Sequence, residues 1–256
     1  MNWKTFTAML ARDAHVARRN FVPLVIQTML QPMLLVFVFG RIMTAAGMMN
    51  KNYGDIMLPG VMAIAMLMTG IMAVSMPLIA EFQFTKEIED RLLAPMEIHW
   101  LAVEKIVGGI LQALVAGAVV ALTAWLILGR HLNLTLDRIP ELVVLVLLVA
   151  LLAASSGLLM GCSVGQTHVG LLFSMVLAPM IMFGCAYYPW QALSHFPIVQ
   201  KLVLVNPLVY ASEGLRGAMA PQLPHIPTLV TLIALAVVDV TLIVVGLQRF
   251  MKKAVG

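Results

Sequence analysis

Between Glu141 and Lys201 the chain runs for 59 residues, positions 142–200, without one Asp, Glu, Lys or Arg. Water-soluble domains carry about 25% charged residues, so a run of this length needs another solvent. A bilayer core about 30 Å thick is crossed by roughly 20 apolar residues in a helix. The run is therefore too long for one crossing and long enough for two. The expected break is Gly165-Gln166-Thr167-His168, which gives spans over Leu142–Val164 and Val169–Tyr187. Four further runs have the same character: Phe21–Gly40, Ile56–Ala80, Ile106–Gly129 and Thr228–Gln248, the last with one acid, Asp239. The sequence thus predicts an all-α membrane protein of six transmembrane helices in one domain, residues 1–256. Barrel strands would alternate apolar and polar over about ten residues, whereas these runs are apolar on all sides and twice as long. The whole chain is 61% hydrophobic and 11% charged, in keeping with this reading.

Some twenty residues precede the first span and include Lys4, Arg12, Asp13, Arg18 and Arg19. A cleaved signal peptide has a shorter apolar core than the run that follows them. Trp3, Phe6, Met9 and Leu10 recur at helical spacing, so residues 1–20 read as an amphipathic helix on the membrane surface; a plain positive tail is the alternative. Six spans put both termini on one side. That side holds Lys4, Arg12, Arg18, Arg19, Lys86, Arg91, Lys105, Arg249, Lys252 and Lys253. The other holds Arg41, Lys51, Arg130, Arg138, Lys201 and Arg216. By the positive-inside rule the termini are expected in the cytoplasm. The formal charge of +4 does not indicate nucleic acid, because the cations sit singly at the ends of apolar runs and form no basic stripe.

Two connections stand out. The cytoplasmic segment 81–98 contains Phe84, Ile88 and Leu92 at i+4 spacing, an apolar stripe with Glu87, Asp90 and Arg91 away from it. Pro95 ends that helix. The pattern fits a docking element for a soluble partner or an ordinary solvated loop. The outer segment 187–227 begins Tyr187-Tyr-Pro-Trp190 and continues to Asn206-Pro207-Leu-Val-Tyr210-Ala-Ser-Glu213-Gly-Leu-Arg216. Prolines 189, 197 and 207 cut it into short pieces too apolar to float in water, which suits re-entrant half-helices covered by protein. Tyr and Trp belong at such an interface. Glu213 and Arg216, at i and i+3, can pair; a surface ion pair of little energetic worth is the bland reading.

Inside the spans, Asp239 is costly, and it is expected to make a structural hydrogen bond or to serve transport. Gln27, Gln31 and Gln112 suit interhelical hydrogen bonding. Met57, Met62, Met66, Met68, Met72 and Met76 crowd the second span, where thioethers could meet varied apolar ligands or simply fill gaps. Met62, Met66, Gln112 and Asp239 are the candidates for a substrate path. Gly109, Ala113, Gly117 and Ala121, and again Gly157, Gly161 and Gly165, stand four apart and allow close helix packing. Cys162 and Cys185 sit in apolar runs with no metal or disulfide pattern around them. There is no Gly-x-Ser-x-Gly, no His-x-x-x-His and no Gly-Lys dipeptide, hence no phosphate-binding P-loop. No catalytic, cofactor-binding or metal residues are assigned, and the chain is not read as an enzyme.

With these segments in place the chain resembles the type-2 permeases of ATP-binding cassette (ABC) exporters, among them the daunorubicin-resistance, nodulation-factor and polysaccharide export permeases. The resemblance covers nearly the whole length. One carrier is Lys86-Glu87-Ile88-Glu89-Asp90-Arg91-Leu92-Leu-Ala-Pro95 with Glu104-Lys105, similar to the family's "E…R…LL…P…K" element between spans two and three. The other is Asn206-Pro207…Tyr210…Glu213-Gly-Leu-Arg216, similar to its "NP…Y…LR" element before the last span. Where the family has Gly-Thr before Leu-Leu, this chain has Glu-Asp-Arg. The resemblance implies a homodimer in the inner membrane, joined to two P-loop ATPase subunits that bind ATP and magnesium. Phe84, Glu87, Ile88, Glu89, Asp90, Arg91 and Leu92 would form the coupling helix. Tyr187, Trp190, Asn206, Pro207, Tyr210, Glu213 and Arg216 would form the outer gate. The implied activity is export of an amphipathic or hydrophobic small molecule or a lipid-linked substrate. Polysaccharide or glycolipid export is an alternative, and so, in another class, is ion-coupled transport through Asp239.

Overall fold

The computed structural model describes residues 30, 32–50, 52–83, 98–129, 132–135, 137–165 and 169–255. All regular structure among them is helical. Helix α1, Pro32–Ala45, contains a π-helical turn at Val38–Ile42. Three long helices follow: α2 (Tyr53–Gln83), α3 (Ile98–Leu128) and α4 (Ile139–Ser163). The next helix, α5 (169–182), is interrupted by a π-helical turn at Phe173–Leu177. Bends at 184–188 lead to a 3-10 turn at Trp190–His195, then α6 (Pro197–Leu202), a second 3-10 turn at Val203–Val205, α7 (Pro207–Met219) and α8 (Thr228–Val255).

Helices α2, α3, α4 and α8 are each long and apolar enough to cross a membrane. At 1.5 Å per residue, the 31 residues of α2 reach about 46 Å, more than the hydrocarbon needs. The predicted run Val169–Tyr187 is not one continuous helix: α5 stops at Met182, and the chain turns through bends from Gly184. Of the predicted first span, Phe21–Gly40, positions 21–29 and Gln31 lie outside the described residues. So do the 1–20 helix, Gln27 and the segment 84–97, with Phe84, Glu87, Ile88, Glu89, Asp90, Arg91 and Leu92.

The central helix is α2, packed against α3, α4 and α7, with α8 lying across α4 and α7. Small residues set the spacing. A methyl group built on Gly109 of α3 would stand 2.4 Å from Val74 Cγ2 of α2. One on Gly157 of α4 would stand 2.8 Å from the Ile71 carbonyl oxygen. These glycines let the helices meet at backbone distance, as their four-residue spacing suggests. Leu111, Leu122, Trp125 and Leu126 of α3 and Leu229, Ile233, Val237 and Val240 of α8 point outward, an apolar exterior suited to lipid.

Candidate functional site: a buried clamp on broken backbone

At the end of the bundle where α2, α4 and α8 begin, the chain from Gly184 to Met219 folds back onto the helices. The prolines decide its pieces. Pro189 precedes the first 3-10 turn, and Pro197 and Pro207 open α6 and α7, where a missing N–H is not needed. Asn206 caps α7 by accepting from Leu208 N at 3.0 Å, while its Nδ2 donates to the Met180 carbonyl of α5 at 2.7 Å. The capping side chain therefore also ties α7 to α5. Tyr210 donates its hydroxyl to Leu204 O at 2.8 Å.

Every residue of α7 from Ala211 to Met219 is buried, including Ser212, Glu213 and Arg216, each 0% exposed. A helix polar on a buried face must find partners for that face. Glu213 Oε1 accepts from the Arg216 guanidinium and from Trp190 N at 2.8 Å; Oε2 accepts from Ile226 N at 2.9 Å. Arg216 donates through Nε to Ile56 O of α2 at 3.1 Å, and through its second terminal nitrogen to Cys185 O at 2.8 Å and Ala186 O at 3.4 Å. Burial draws the Arg216 pKa below its ordinary value, and the Glu213 carboxylate opposes that shift. The pair is thus no surface ion pair. It joins α2, α7, the 184–188 bends, the start of the 3-10 turn and the approach to α8.

The bends carry carbonyls that no helix satisfies. Ser212 Oγ donates to Gly184 O, Arg216 to Cys185 O and Ala186 O, and Tyr53 Oη to Tyr187 O at 3.0 Å. Four successive carbonyls are thereby met by side-chain donors, from buried Ser212 and Arg216 and half-buried Tyr53. Cys185 itself sits at φ +52°, in the left-handed region that most residues avoid. Gly60 of α2 makes room: a methyl group there would stand 2.1 Å from the Ala186 carbonyl oxygen. Trp190 Nε1 donates to Gln200 O at 3.0 Å, and Gln200 Nε2 returns a bond to Trp190 O at 3.4 Å, closing the first 3-10 turn against α6.

Trp190, Glu213 and Arg216 are therefore joined by hydrogen bonds, while Tyr187, Asn206 and Tyr210 make bonds of their own within the same folded-back region and Pro207 opens α7. Sequence reasoning missed Ser212, Tyr53 and Gly60, since a serine, a tyrosine and a glycine at span ends carry no pattern of their own. It also missed Asp55 in the first turn of α2, which accepts from Asn133 N at 3.0 Å and holds the 132–135 loop.

The four candidates for a substrate path do not converge on a cavity. Met62 and Met66 are buried, and a methyl group on Gly117 of α3 would meet Met66 Sδ at 2.8 Å, so they fill space between α2 and α3. Gln112 is half-buried on α3. Asp239 is buried in α8, and among the described residues neither of its carboxylate oxygens meets a hydrogen-bond partner. A groove of about 320 Å³ lies elsewhere, lined by Leu30, Leu34, Leu35, Val38 and Phe39. Among the described residues no three His, Cys, Asp or Glu side chains group as metal ligands.

Comparison with known proteins agrees with this architecture. The inner membrane transport permease YadH of Escherichia coli K12 is 23% identical over 224 residues, covering 84% of this chain and 82% of YadH. YadH of Shigella flexneri matches to the same extent. Residues 4–220, which include α1 to α7 and the clamp, match the model of the ABC-2 type transporter family. The chain belongs to the ABC-2 type transporter family.

Proposed function

We propose that this chain is the membrane-spanning permease subunit of an ABC exporter, with ATP hydrolysed on a separate P-loop subunit. Two copies of each chain make up the working assembly. The membrane is the inner one, as the name of the YadH relatives supports. Six spans cross it, α1 and α5 serving as the described parts of the first and fifth, and both termini lie in the cytoplasm. The segment 84–97 receives the ATPase. The folded-back segment 187–227 closes the outer end of the path, with Asn206, Tyr210, Glu213 and Arg216 as its internal braces.

The carrying observation is the set of donors aimed at carbonyls 184–187. Irregular backbone is tolerated at membrane depth only where protein satisfies it. A chain that spends a buried arginine, a buried serine and a half-buried tyrosine on four carbonyls is holding a broken helix at a fixed depth, as a closure does. Cargo on this reading is an amphipathic or hydrophobic small molecule or a lipid-linked one.

The test is to purify the tagged chain from its native membranes and assay the eluate for nucleotide hydrolysis. Vanadate-sensitive ATP hydrolysis, lost when the chain is omitted, is the expected result. An eluate with no nucleotide hydrolysis overturns the proposal. For orientation, a membrane-impermeant thiol reagent on intact spheroplasts should label Lys201→Cys and spare Lys86→Cys; the reverse would invert the topology.

A further inference from the structure

The opposite end of the bundle holds a second cluster, on the residues that flank 84–97. Lys105 of α3 donates to Glu81 Oε1 in the last turn of α2 at 2.8 Å, with both side chains under a tenth exposed. One residue on, the Phe82 ring meets the ring of Phe250 of α8 edge-on, with centroids 5.9 Å apart. Phe250 is 0% exposed. Lys253, one helical turn further along α8, sets its ammonium 4.7 Å from the centroid of the Phe82 ring and 3.3 Å from Gly161 O.

That carbonyl lies in the last turn of α4, which ends at Ser163. Carbonyls there lack intrahelical donors, and the helix dipole favours a cation beside them. A cation over an aromatic face is attracted by the ring's quadrupole. One ammonium thus serves the ends of two helices at once, from a third. Its neighbours Arg249 and Lys252 are exposed, and they suffice as orientation charges; Lys253 is half-buried. An orientation charge needs neither a ring nor a carbonyl.

We propose that Lys253 is a positioning residue that locks the end of α8 to the ends of α2 and α4, so that the three helices move as one body at the end where α2 leads into 84–97. The inference rests on the permease reading for its consequence, which is transmission between the ATPase and the last span. Through Phe82, movement at the end of α2 is delivered to α8. From there it reaches the far end of α8, where Thr231 packs against Gly214 of the clamp helix.

The experiment compares Lys253→Met, which keeps length and loses charge, with Lys253→Arg, which keeps a cation, and with Phe82→Leu. The full chain is placed in nanodiscs of phosphatidylethanolamine and phosphatidylglycerol. Amide hydrogen exchange is read at 79–83 and 160–164, with α7 as internal reference. Lys253→Met should speed exchange at both turns by about three- to tenfold, the range a partly desolvated cation–π contact spans, and leave α7 unchanged. Lys253→Arg should restore slow exchange. After Phe82→Leu, the added effect of Lys253→Met at 79–83 should shrink, as expected of residues in contact. Unchanged exchange, or an equal rise in α7, overturns the lock.

The second readout is ATP hydrolysis by the co-purified assembly in the same lipid, relative to the ATPase subunit alone. Lys253→Met should at least halve the permease-dependent change in rate without loss of pull-down, and Arg should rescue it. A locally loosened but fully coupled Lys253→Met overturns the positioning role. If no ATPase accompanies the wild-type chain, the permease reading fails, while the exchange result still decides the lock.

Discussion

Substituting Arg216 by Met should be among the most damaging single changes in this chain. Arg216 makes four hydrogen bonds, to Glu213, Ile56 O, Cys185 O and Ala186 O, from a site with 0% exposure. Methionine approximates its volume, so the loss is chiefly polar. Removing one partner of a buried ion pair costs about 3–5 kcal/mol, because the other charge is left uncompensated. Glu213 keeps the N–H donors of Trp190 and Ile226, which softens that loss, while Ile56 O and Cys185 O each forfeit a donor. The expected cost is about 4 kcal/mol, within the range for a broken buried network. Glu213→Leu combined with Arg216→Met removes the stranded charge. The double variant should be less damaged than the sum of the singles by at least about 1.5 kcal/mol, the non-additivity expected of contacting groups. Reversible unfolding in mixed micelles of increasing SDS fraction, on wild type, both singles and the double, gives the cycle. A cost for Arg216→Met below about 1 kcal/mol, the range of exposed ion pairs, would refute the burial argument.

Other expectations follow from the same geometry. Gly60→Ala would push a methyl group to 2.1 Å from a backbone oxygen, so it should lower the yield of folded protein. Gly108→Ala, with nothing within 4 Å, should be neutral or stabilising by up to about 1 kcal/mol in the same unfolding assay. Asp239→Asn should leave the yield of folded protein intact, since no described residue hydrogen-bonds the carboxylate; a drop in that yield would show that the acid is structurally engaged. Reversing Glu87, Glu89 and Asp90 to Lys should weaken pull-down of the ATPase subunit without affecting membrane insertion, because charge reversal at an interface slows encounter and lowers affinity. Unchanged pull-down would remove 84–97 from the contact.

Much of the bundle was legible because the bilayer demands length and apolarity together, and α2, α3, α4 and α8 satisfy both. Their ends were less so. The third run was expected from Ile106, yet α3 starts at Ile98, because Glu104 and Lys105 do not mark the water boundary: Lys105 is neutralised inside the protein by Glu81. The sixth was expected to end at Gln248, yet α8 continues to Val255, with Lys252 and Lys253 in a last turn whose carbonyls favour cations. The fifth run reads as one span by composition, but composition does not register that Gly184 and Cys185 break the helix for the sake of bonds to Ser212 and Arg216. In the clamp, the i, i+3 spacing gave the pairing of Glu213 with Arg216 but not its burial. Burial depends on α2 passing close by, through Ile56 and Gly60, some 150 residues away in sequence, and no local pattern encodes that.

On the proposed function this chain moves its cargo with energy borrowed from a second, ATP-hydrolysing chain. Native mass spectrometry of the assembly extracted from membranes in nanodiscs tests it most directly. The expected result is two copies of the 27.9 kDa chain with two copies of a nucleotide-binding subunit, held together through 84–97 and falling apart in the Glu87, Glu89, Asp90 reversal. Copies of this chain alone, whose transport in sealed vesicles follows an ion gradient and ignores ATP, would contradict it.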